Sequence, residues 1–148
     1  MSSPMRILFL ALTSAVASFS LLAEEQRIPA EKVLALTPSE TNPRNSEGDF
    51  IALADGTLLF IYTRFSSGAD DFDAACLASR RSEDGGATWS TEDEIVLENE
   101  GQRNVMSVSL LRLESGEIAL FYLRKNGAQD CRPCMRVSRD EGRSWSDA

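Results

Sequence analysis

Histidine is absent from this sequence of 148 residues. Its absence excludes Ser-His and Cys-His nucleophile systems and any zinc ion held by histidine within the chain. Clustered positive charge is lacking as well, because the chain carries a formal net charge of −8. Such a field opposes the phosphate contacts on which nucleic-acid binding depends. The composition therefore argues against a nucleic-acid partner and leaves aspartate, glutamate, tyrosine and lysine for acid–base chemistry.

Cysteine is scarce and occurs three times, as Cys76, Cys131 and Cys134. The last two have the CxxC spacing, but they supply two thiolates where a structural zinc ion needs four ligands. No βαβ pattern surrounds the motif, which argues against a thioredoxin-like role. We therefore expect no metal and no cofactor. In an exported protein we expect two of the three cysteines to form a disulfide, with the pairing left open.

Long apolar runs are confined to the N-terminus, where Ile7 to Leu22 follows the positive charge of Arg6. Serine and threonine interrupt this run, and it is shorter than the roughly 20 apolar residues of a membrane span. The pattern predicts a signal peptide over residues 1–23, with the small residue Ala23 at the cleavage site. The alternative is a transmembrane anchor. A cleaved signal predicts a secreted or periplasmic protein with no membrane contact after cleavage.

The chain contains an internal repeat and no segment with helical periodicity. Residues 53–64 align without a gap on residues 113–124 at an offset of 60, and Gly56, Tyr62 and Arg64 are among the identities. Each copy predicts a β-hairpin with glycine in its tight turn. The second strand of each hairpin is nearly continuously apolar, which predicts that both of its faces are covered by stacked sheets.

A second pair of matched segments, residues 82–89 and 138–145, follows at an offset of 56 and fits the pattern S-x-D-x-G-x-[TS]-W. In such a turn the aspartate accepts backbone N–H groups, and the glycine adopts a conformation that other residues resist. The tryptophan fills the space beneath the turn. The residues predicted to lock the turn between the third and fourth strands of each unit are Ser82, Asp84, Gly86, Trp89, Ser138, Asp140, Gly142 and Trp145.

Repeats at these two offsets, with four short strands in each, are typical of β-propeller blades, which bury their faces against neighbouring blades. The predicted fold class is therefore all-β. We divide the chain into a signal peptide (1–23), a lead-in segment (24–45), a first blade (about 46–98) and an incomplete second blade (about 99–148). A closed ring has roughly 4 to 8 blades. With about two blades, the chain is expected to be a fragment of a longer protein.

The two S-x-D-x-G-x-[TS]-W turns, or Asp boxes, and the stretches DGTLLF and RRSEDGGATWS together resemble the sialidase (neuraminidase) superfamily. They are most similar to exported bacterial sialidase-like proteins with BNR repeats, and the resemblance covers about residues 42–148. It implies a six-bladed propeller in the full-length parent. It also implies that the Asp boxes are structural and lie on the rim away from the active site.

The same resemblance implies that arginines bind the substrate. Family sialidases hold the substrate carboxylate with three arginines, the first in an Arg-Ile-Pro motif just before the first strand of blade one, and an arginine fork suits a carboxylate. The Arg-Ile-Pro here begins at Arg27, too far upstream of Gly56 to match the family spacing. We assign the role to Arg44, which lies much closer to Gly56. Arg64 resembles a family arginine near the bound sugar.

Asp70 and Asp71 are the candidates for the family's acid–base aspartate, which lies in the loop after the second strand. The sequence alone leaves the choice between them open, and solvated loop acids are the alternative. Arg103 precedes the first strand of blade two, and Arg132 lies in the predicted loop that matches Asp70 and Asp71. These two arginines are candidates for further sugar contacts at the same end of the propeller, and solvated loop charges are the alternative.

The resemblance implies an exo-sialidase-like glycoside hydrolase that releases terminal sialic acid or a related acidic sugar from a sialylated or other acidic glycan. Sialidases use a tyrosine nucleophile, which the family places in blades beyond this chain. Tyr62 and Tyr122 occupy apolar strand positions, so the fragment alone is expected to be inactive. The alternatives are a non-catalytic carbohydrate-binding or scaffold propeller with BNR repeats, or a propeller enzyme of another class such as a polysaccharide lyase.

Overall fold

Seven antiparallel β-strands and no helix make up residues 31–148, the part of the chain that the computed structural model describes. Within these residues the all-β prediction is confirmed, and no helix is present that is long and apolar enough to cross a membrane. The predicted signal peptide and residues 24–30 of the lead-in segment lie outside the described residues. The strands are β1 (Arg44–Ala52), β2 (Leu58–Phe65), β3 (Ala75–Ser82), β4 (Glu94–Leu97), β5 (Asn104–Arg112), β6 (Ile118–Gly127) and β7 (Asp130–Ser138).

The strands form two sheets that correspond to the two repeats. The first has the order β1-β2-β3-β4 and the second the order β5-β6-β7. Both follow the same register, since Arg44 pairs with Phe65 in the first sheet and the corresponding residue Asn104 pairs with Lys125 in the second. The sheets are two blade-like units and not a closed propeller.

The predicted hairpin turns are confirmed, with φ at 89° for Gly56 and 90° for Gly116. The first strand of the first repeat begins at Arg44, and that of the second repeat begins at Asn104. A β-bulge interrupts each of these strands. Because a bulge inserts one extra residue, it breaks the alternation of apolar residues from which strands are recognised.

The apolar core lies between the two sheets. Strand β5 lies across β1, β2 and β3, and the side chains buried in the cluster include Leu59, Ile61, Leu77, Val105, Leu110, Ile118, Leu120 and Tyr122. Burying one such side chain stabilises a fold by about 1.5–3 kcal/mol. Neither sheet has another described element large enough to cover this face, so each depends on the other.

Polar groups connect the sheets at positions where β5 departs from regular geometry. Asp49 Oδ2 accepts a hydrogen bond from the backbone N–H of Leu110 at 2.9 Å. Thr63, which is fully buried, accepts one from the N–H of Ser107 at 3.1 Å. Ser107 has a φ of 63° within the β5 bulge. The first sheet thus satisfies backbone donors of the second that its own ladder leaves free.

An ion pair closes the end of the interface where the Asp boxes lie. Arg112 on β5 contacts both carboxylate oxygens of Glu141, at 2.7 and 2.9 Å, and donates to the carbonyl of Ala52 at 2.9 Å. Glu141 also accepts from the N–H of Ala54 at 2.9 Å. These contacts, led by the hydrogen bond from Arg112, lower the pKa of Glu141 to about 2.

The outer face of the second sheet is open. Leu111, Phe121 and Met135 are 52%, 38% and 46% exposed. The prediction that both faces of the second hairpin strand are covered therefore holds better for β2, where Tyr62 is also buried, than for β6.

All three cysteines are free thiols, so the expected disulfide is not present. Cys131 and Cys134 lie on the same strand, three positions apart. Residues at that spacing point to opposite faces of a sheet and are about 10 Å apart, beyond the reach of a disulfide. Cys76 is buried in the other sheet.

The two Asp boxes have matching hydrogen bonds. In the first, Asp84 accepts from the N–H and hydroxyl of Thr88 at 2.8 and 2.6 Å, and Ser82 Oγ accepts from the N–H of Gly86 at 2.8 Å. In the second, Asp140 accepts from Ser144 at 2.8 and 2.5 Å, with Ser138 in the place of Ser82. The Trp89 indole N–H donates to the carbonyl of Gly86 at 3.1 Å.

Acid should loosen these turns. Hydrogen bonds from Thr88 and Ser144 lower the pKa values of Asp84 and Asp140 to about 2, against an ordinary aspartate value of about 3.9. The stabilisation is therefore present above about pH 4 and is lost as the pH falls through about 2. We expect the Asp140→Asn variant to show a shallower loss of stability than wild type when unfolding is followed by urea titration between pH 5 and 2.

The control for this variant is Glu114→Gln, which removes an exposed carboxylate that makes no hydrogen bond among the described residues. Its free energy of unfolding should fall between pH 5 and 2 as steeply as that of wild type. Equal slopes for Asp140→Asn and wild type would show that the second Asp box does not contribute to acid sensitivity.

Gly142 should tolerate alanine worse than the hairpin glycines do. Its φ is 76°, and an added Cβ would lie 2.6 Å from Leu59 Cδ2 on the facing sheet. Gly116 has a φ of 90° with nothing within 4 Å of an added Cβ. We expect Gly116→Ala to lower the free energy of unfolding by about 1 kcal/mol, from backbone strain alone, and Gly142→Ala by about 3 kcal/mol because overpacking is added. Urea unfolding measures both, and equal losses would contradict the close packing at Gly142.

Candidate functional site

The end of the sheets opposite the Asp boxes gathers most of the residues singled out from the sequence. The start of β1, the loop over residues 66–74 and the start of β3 meet there, because Arg44, Phe65 and Ala75 lie in one row of the first sheet. The start of β5 and the end of β6 join them from the second sheet. We call this end the loop rim.

Arg44 and Asp71 are in direct contact on the loop rim. Arg44 Nη1 lies 2.6 Å from Asp71 Oδ1 and also donates to the carbonyl of Ala69 at 3.1 Å. Its guanidinium lies over the ring of Phe65, 4.5 Å from the centroid. The residue predicted to bind a carboxylate and one of the two predicted acid–base residues are therefore brought together.

Asp70 and Asp71 have different surroundings, which distinguishes the two candidates. Asp70 Oδ1 accepts from the N–H of Phe72 at 2.9 Å, so its side chain is part of the turn. Asp71 points to Arg44, whose hydrogen bond and positive charge hold the pKa of the Asp71 carboxyl below its usual range. Asp71 is therefore the ionised group beside the arginine, and Asp70 shapes the loop.

The second sheet holds this loop from the side. Asn104 Nδ2 donates to the carbonyls of Asp71 and Asp73, both at 2.9 Å. Lys125 Nζ donates to the carbonyl of Asp71 at 2.9 Å and lies 4.0 Å from the centroid of the Phe72 ring. Sequence analysis did not single out Asn104 or Lys125 for any role.

Arg64 does not join the loop rim pair. Its Nε donates to Asp93 Oδ2 at 2.9 Å, and Arg80 Nη2 lies 2.7 Å from Asp93 Oδ1. The Tyr62 hydroxyl donates to the same carboxylate. Burial alone would raise the pKa of Asp93, but the Tyr62 hydroxyl and the two guanidinium groups outweigh it and lower the pKa.

A related network recurs in the second repeat. The Tyr122 hydroxyl donates to Glu100, and Arg136 donates to Glu100 Oε2 at 2.5 Å and to the Tyr122 oxygen at 3.1 Å. Burial and these carboxylate contacts raise the pKa of Tyr62 and of Tyr122 to about 12. Both hydroxyls are thus held protonated as hydrogen-bond donors, in keeping with their predicted core positions.

Sequence analysis missed the carboxylates and partner arginines of these networks. One signal was present, because Arg80 and Arg136 are related by the same offset of 56 that relates the Asp boxes. The carboxylates gave none, since Asp93 and Glu100 occupy different places in their repeats.

The prediction that Arg132 lies in a loop was wrong. Asp130, Cys131 and Arg132 belong to β7, and Arg132 contacts Asp130 at 2.6 and 2.9 Å on an exposed part of the strand. The connection from β6 to β7 is only residues 128–129, whereas that from β2 to β3 is residues 66–74. Arg103 is exposed on the loop rim just before β5, and its side chain makes no hydrogen bond or ion pair among the described residues.

A cleft of about 430 Å³ lies on the free face of the first sheet, lined by Leu34, Leu36, Asn45, Ser46, Gly48, Phe60 and Tyr62. Neither Arg44 nor Asp71 lines it. Leu34 and Leu36 of the lead-in segment form one side of this cleft. Among the described residues, no three acidic, cysteine or histidine side chains are grouped to hold a metal ion.

Comparison with known proteins gives a distant structural likeness. No family model and no curated protein matches the chain. A Dyadobacter fermentans protein of unknown function superposes with a TM-score of 0.63 at 19% identity, over 74% of this chain and 36% of that one. A glycosyl hydrolase from Bacteroides ovatus gives 0.56 at 18% identity, over 72% and 31%. The Hadza microbial sialidase gives 0.58 at 16% identity, over 72% and 25%.

These comparisons support a distant glycosidase-like, propeller-type fold. The chain spans between a quarter and about a third of the length of the matched structures. At such identities the likeness describes the fold alone.

Asp93 should be important for stability. Its side chain is 19% exposed and that of Arg80 13%, so Asp93→Ala leaves Arg64 and Arg80 facing each other with little solvent between them. We expect the free energy of unfolding to fall by about 2 kcal/mol. The matched control Glu92→Ala removes a neighbouring exposed carboxylate and should change it by less than about 0.5 kcal/mol. Equal losses in urea unfolding would contradict the network's role.

Proposed function

We propose that this chain is part of an exported sialidase-type glycoside hydrolase, a six-bladed propeller in its complete form, that releases terminal sialic acid or a related acidic sugar. The observation that carries the proposal is the Arg44–Asp71 pair on the loop rim, 2.6 Å apart. Arg44, which the resemblance assigns to carboxylate binding, and Asp71, one of the two candidates for proton transfer, lie side by side at the opposite end of the sheets from the Asp boxes.

Arg44 is suited to receive the substrate carboxylate. A guanidinium has five N–H donors in a planar fork, and in Arg44 the hydrogen bonds to Asp71 and Ala69 use Nη1 alone. The remaining edge, with Nη2 4.0 Å from the exposed Glu47, is left for a bidentate contact. The Phe65 ring beneath the guanidinium fixes its plane.

Asp71 is suited to transfer the proton once a substrate is bound. A general acid needs a pKa near the working pH, and in the free protein Arg44 holds the pKa of Asp71 low. A substrate carboxylate on Arg44 offsets that positive charge and adds a negative charge nearby. Both effects raise the pKa of Asp71, so substrate binding itself prepares the acid.

The nucleophile must come from outside the described residues. A negatively charged carboxylate would be repelled by the substrate's own carboxylate, and sialidases use tyrosine instead. Tyr62 and Tyr122 donate to Asp93 and Glu100, with pKa values raised to about 12. Neither is an activated nucleophile, in keeping with an expectation that this chain alone has no hydrolytic activity.

A non-catalytic glycan-binding propeller is the second candidate, and one observation favours it. Arg64, the residue that resembles a sugar-contacting arginine, is bound to Asp93 instead of facing the loop rim. A site with fewer free arginines binds an acidic sugar more weakly and lacks part of the charge stabilisation that catalysis requires.

The test is hydrolysis of a fluorogenic sialoside by the product of the complete reading frame. We expect Asp71→Asn to lower kcat by about 10²- to 10⁴-fold, the usual contribution of a general acid or base. Asp70→Asn is the matched control. Asparagine at position 70 still accepts the Phe72 N–H, so this variant should remain near wild type.

A parallel binding measurement separates the two candidates. No turnover by the folded wild-type protein, with sialyllactose binding that is lost in Arg44→Ala, would support the glycan-binding propeller. Equal loss of turnover in Asp70→Asn and Asp71→Asn would contradict the assignment of Asp71. Absence of both turnover and binding would contradict the proposed function.

A further inference from the structure

The contacts between the second repeat and the Asp71 loop are more extensive than packing of the loop requires. Two side chains of the second sheet supply three donors to the carbonyls of Asp71 and Asp73. From this geometry, and resting on the function proposed above, we infer that Asn104 and Lys125 are positioning residues that hold Asp71 opposite Arg44.

Asn104 is placed for this role by the register of the repeat. It occupies the position in β5 that Arg44 occupies in β1, and it is fully buried. Both hydrogen bonds of its Nδ2 are made to loop carbonyls, which fixes the orientation of the amide. Its Oδ1 has no partner among the described residues. The amide therefore acts as a donor to the loop. A buried Oδ1 without a partner lowers stability, and packing alone does not explain why an amide stands at this position.

Lys125 acts on the same carbonyl from the next strand. It follows Arg124 near the end of β6, where it reaches over the Phe72 ring to the carbonyl of Asp71. The ammonium is thus fixed both by the ring face and by the peptide that carries the Asp71 side chain. Because the backbone of Asp71 is held from one side and its carboxylate from the other by Arg44, the side chain has little freedom to leave the pair.

The inference predicts that the first repeat alone does not define the site. Without the second sheet, the loop keeps its internal hydrogen bonds, among them Asp73 N–H to the Asp70 carbonyl at 3.0 Å, and the bonds from Arg44 to Ala69 and Asp71. The internal bonds shape the turn, and Arg44 then holds it from one side only. The acid–base residue belongs in this sense to the interface between two repeats.

The first test uses this chain and needs no substrate. In Lys125→Met, carboxyl-carbon NMR titration should find the Asp71 pKa displaced upward toward the ordinary aspartate value of about 3.9. Amide hydrogen exchange should be faster at residues 71–73. Lys125→Arg, which keeps the charge and a donor, should restore most of both properties. Asn104→Ala should give the same faster exchange if the variant remains folded.

The control is Arg103→Met, which removes a positive charge from the same rim but from a side chain without a bond to the loop. If Arg103→Met and Lys125→Met shift the Asp71 pKa equally, the effect is one of general charge and the inference is wrong. Unchanged exchange at residues 71–73 in Lys125→Met would also overturn it.

The second test uses the complete reading-frame product with the fluorogenic sialoside. Lys125→Met should lower kcat and displace the pH-rate limb that disappears in Asp71→Asn, with a smaller effect on KM. Arg143→Met, at the Asp-box end, is the charge-matched control. A wild type without turnover would count against the proposed function only, because the NMR and exchange results decide the positioning role separately.

Discussion

Burial of apolar surface between the two sheets is the interaction on which the other features depend. Leu59, Ile61 and Leu77 of the first sheet are covered by side chains of β5 and β6. Because repeat architectures bury each face against a neighbour, the stability of one unit includes an interface term with the next. This packing holds the two sheets close enough for hydrogen bonds between them. Asp49 can therefore accept from the N–H of Leu110, and Asn104 can donate to the Asp71 loop.

The two ends of the strands carry different kinds of residues. The Asp boxes lie at one end, in the turn that joins β3 to β4 and in the segment after β7. Their aspartate side chains accept hydrogen bonds from backbone N–H groups of the same turn. The opposite end contains a longer loop whose carbonyls are satisfied from other strands. At the Asp-box end, Arg112 bonds Glu141 and reaches across the interface to the carbonyl of Ala52. At the loop rim, Arg44 keeps donors that the described residues do not use.

The sequence was informative where function or structure is encoded within a short segment. Hairpins and Asp boxes were predictable from spacing, and the family resemblance singled out Arg44 together with Asp70 and Asp71. The Asp93 network was not, since its donors come from Tyr62, Arg64 and Arg80 on two strands. The position of Arg132 could have been predicted: the offset between repeats falls from 60 to 56 between the hairpin strand and the Asp box. The second repeat therefore has four fewer residues between its hairpin strand and its Asp box, and its loop shortens from residues 66–74 to residues 128–129, so that β7 begins earlier.

This difference in loop length gives the two repeats different roles at the same rim. The long loop of the first repeat extends over residues 66–74 and carries Asp71, while the short turn of the second leaves β6 and β7 paired almost to their ends. Lys125, which corresponds to Phe65 in the register, can then extend toward the neighbouring loop instead of lying beneath its own. The residue that opens the first strand of each repeat differs as well, since Arg44 contacts Asp71 and the corresponding Asn104 is a buried amide. Under the proposed function, the first repeat thus provides Asp71 and the second provides its support, because the start of β5 and the end of β6 lie against the loop of the first repeat.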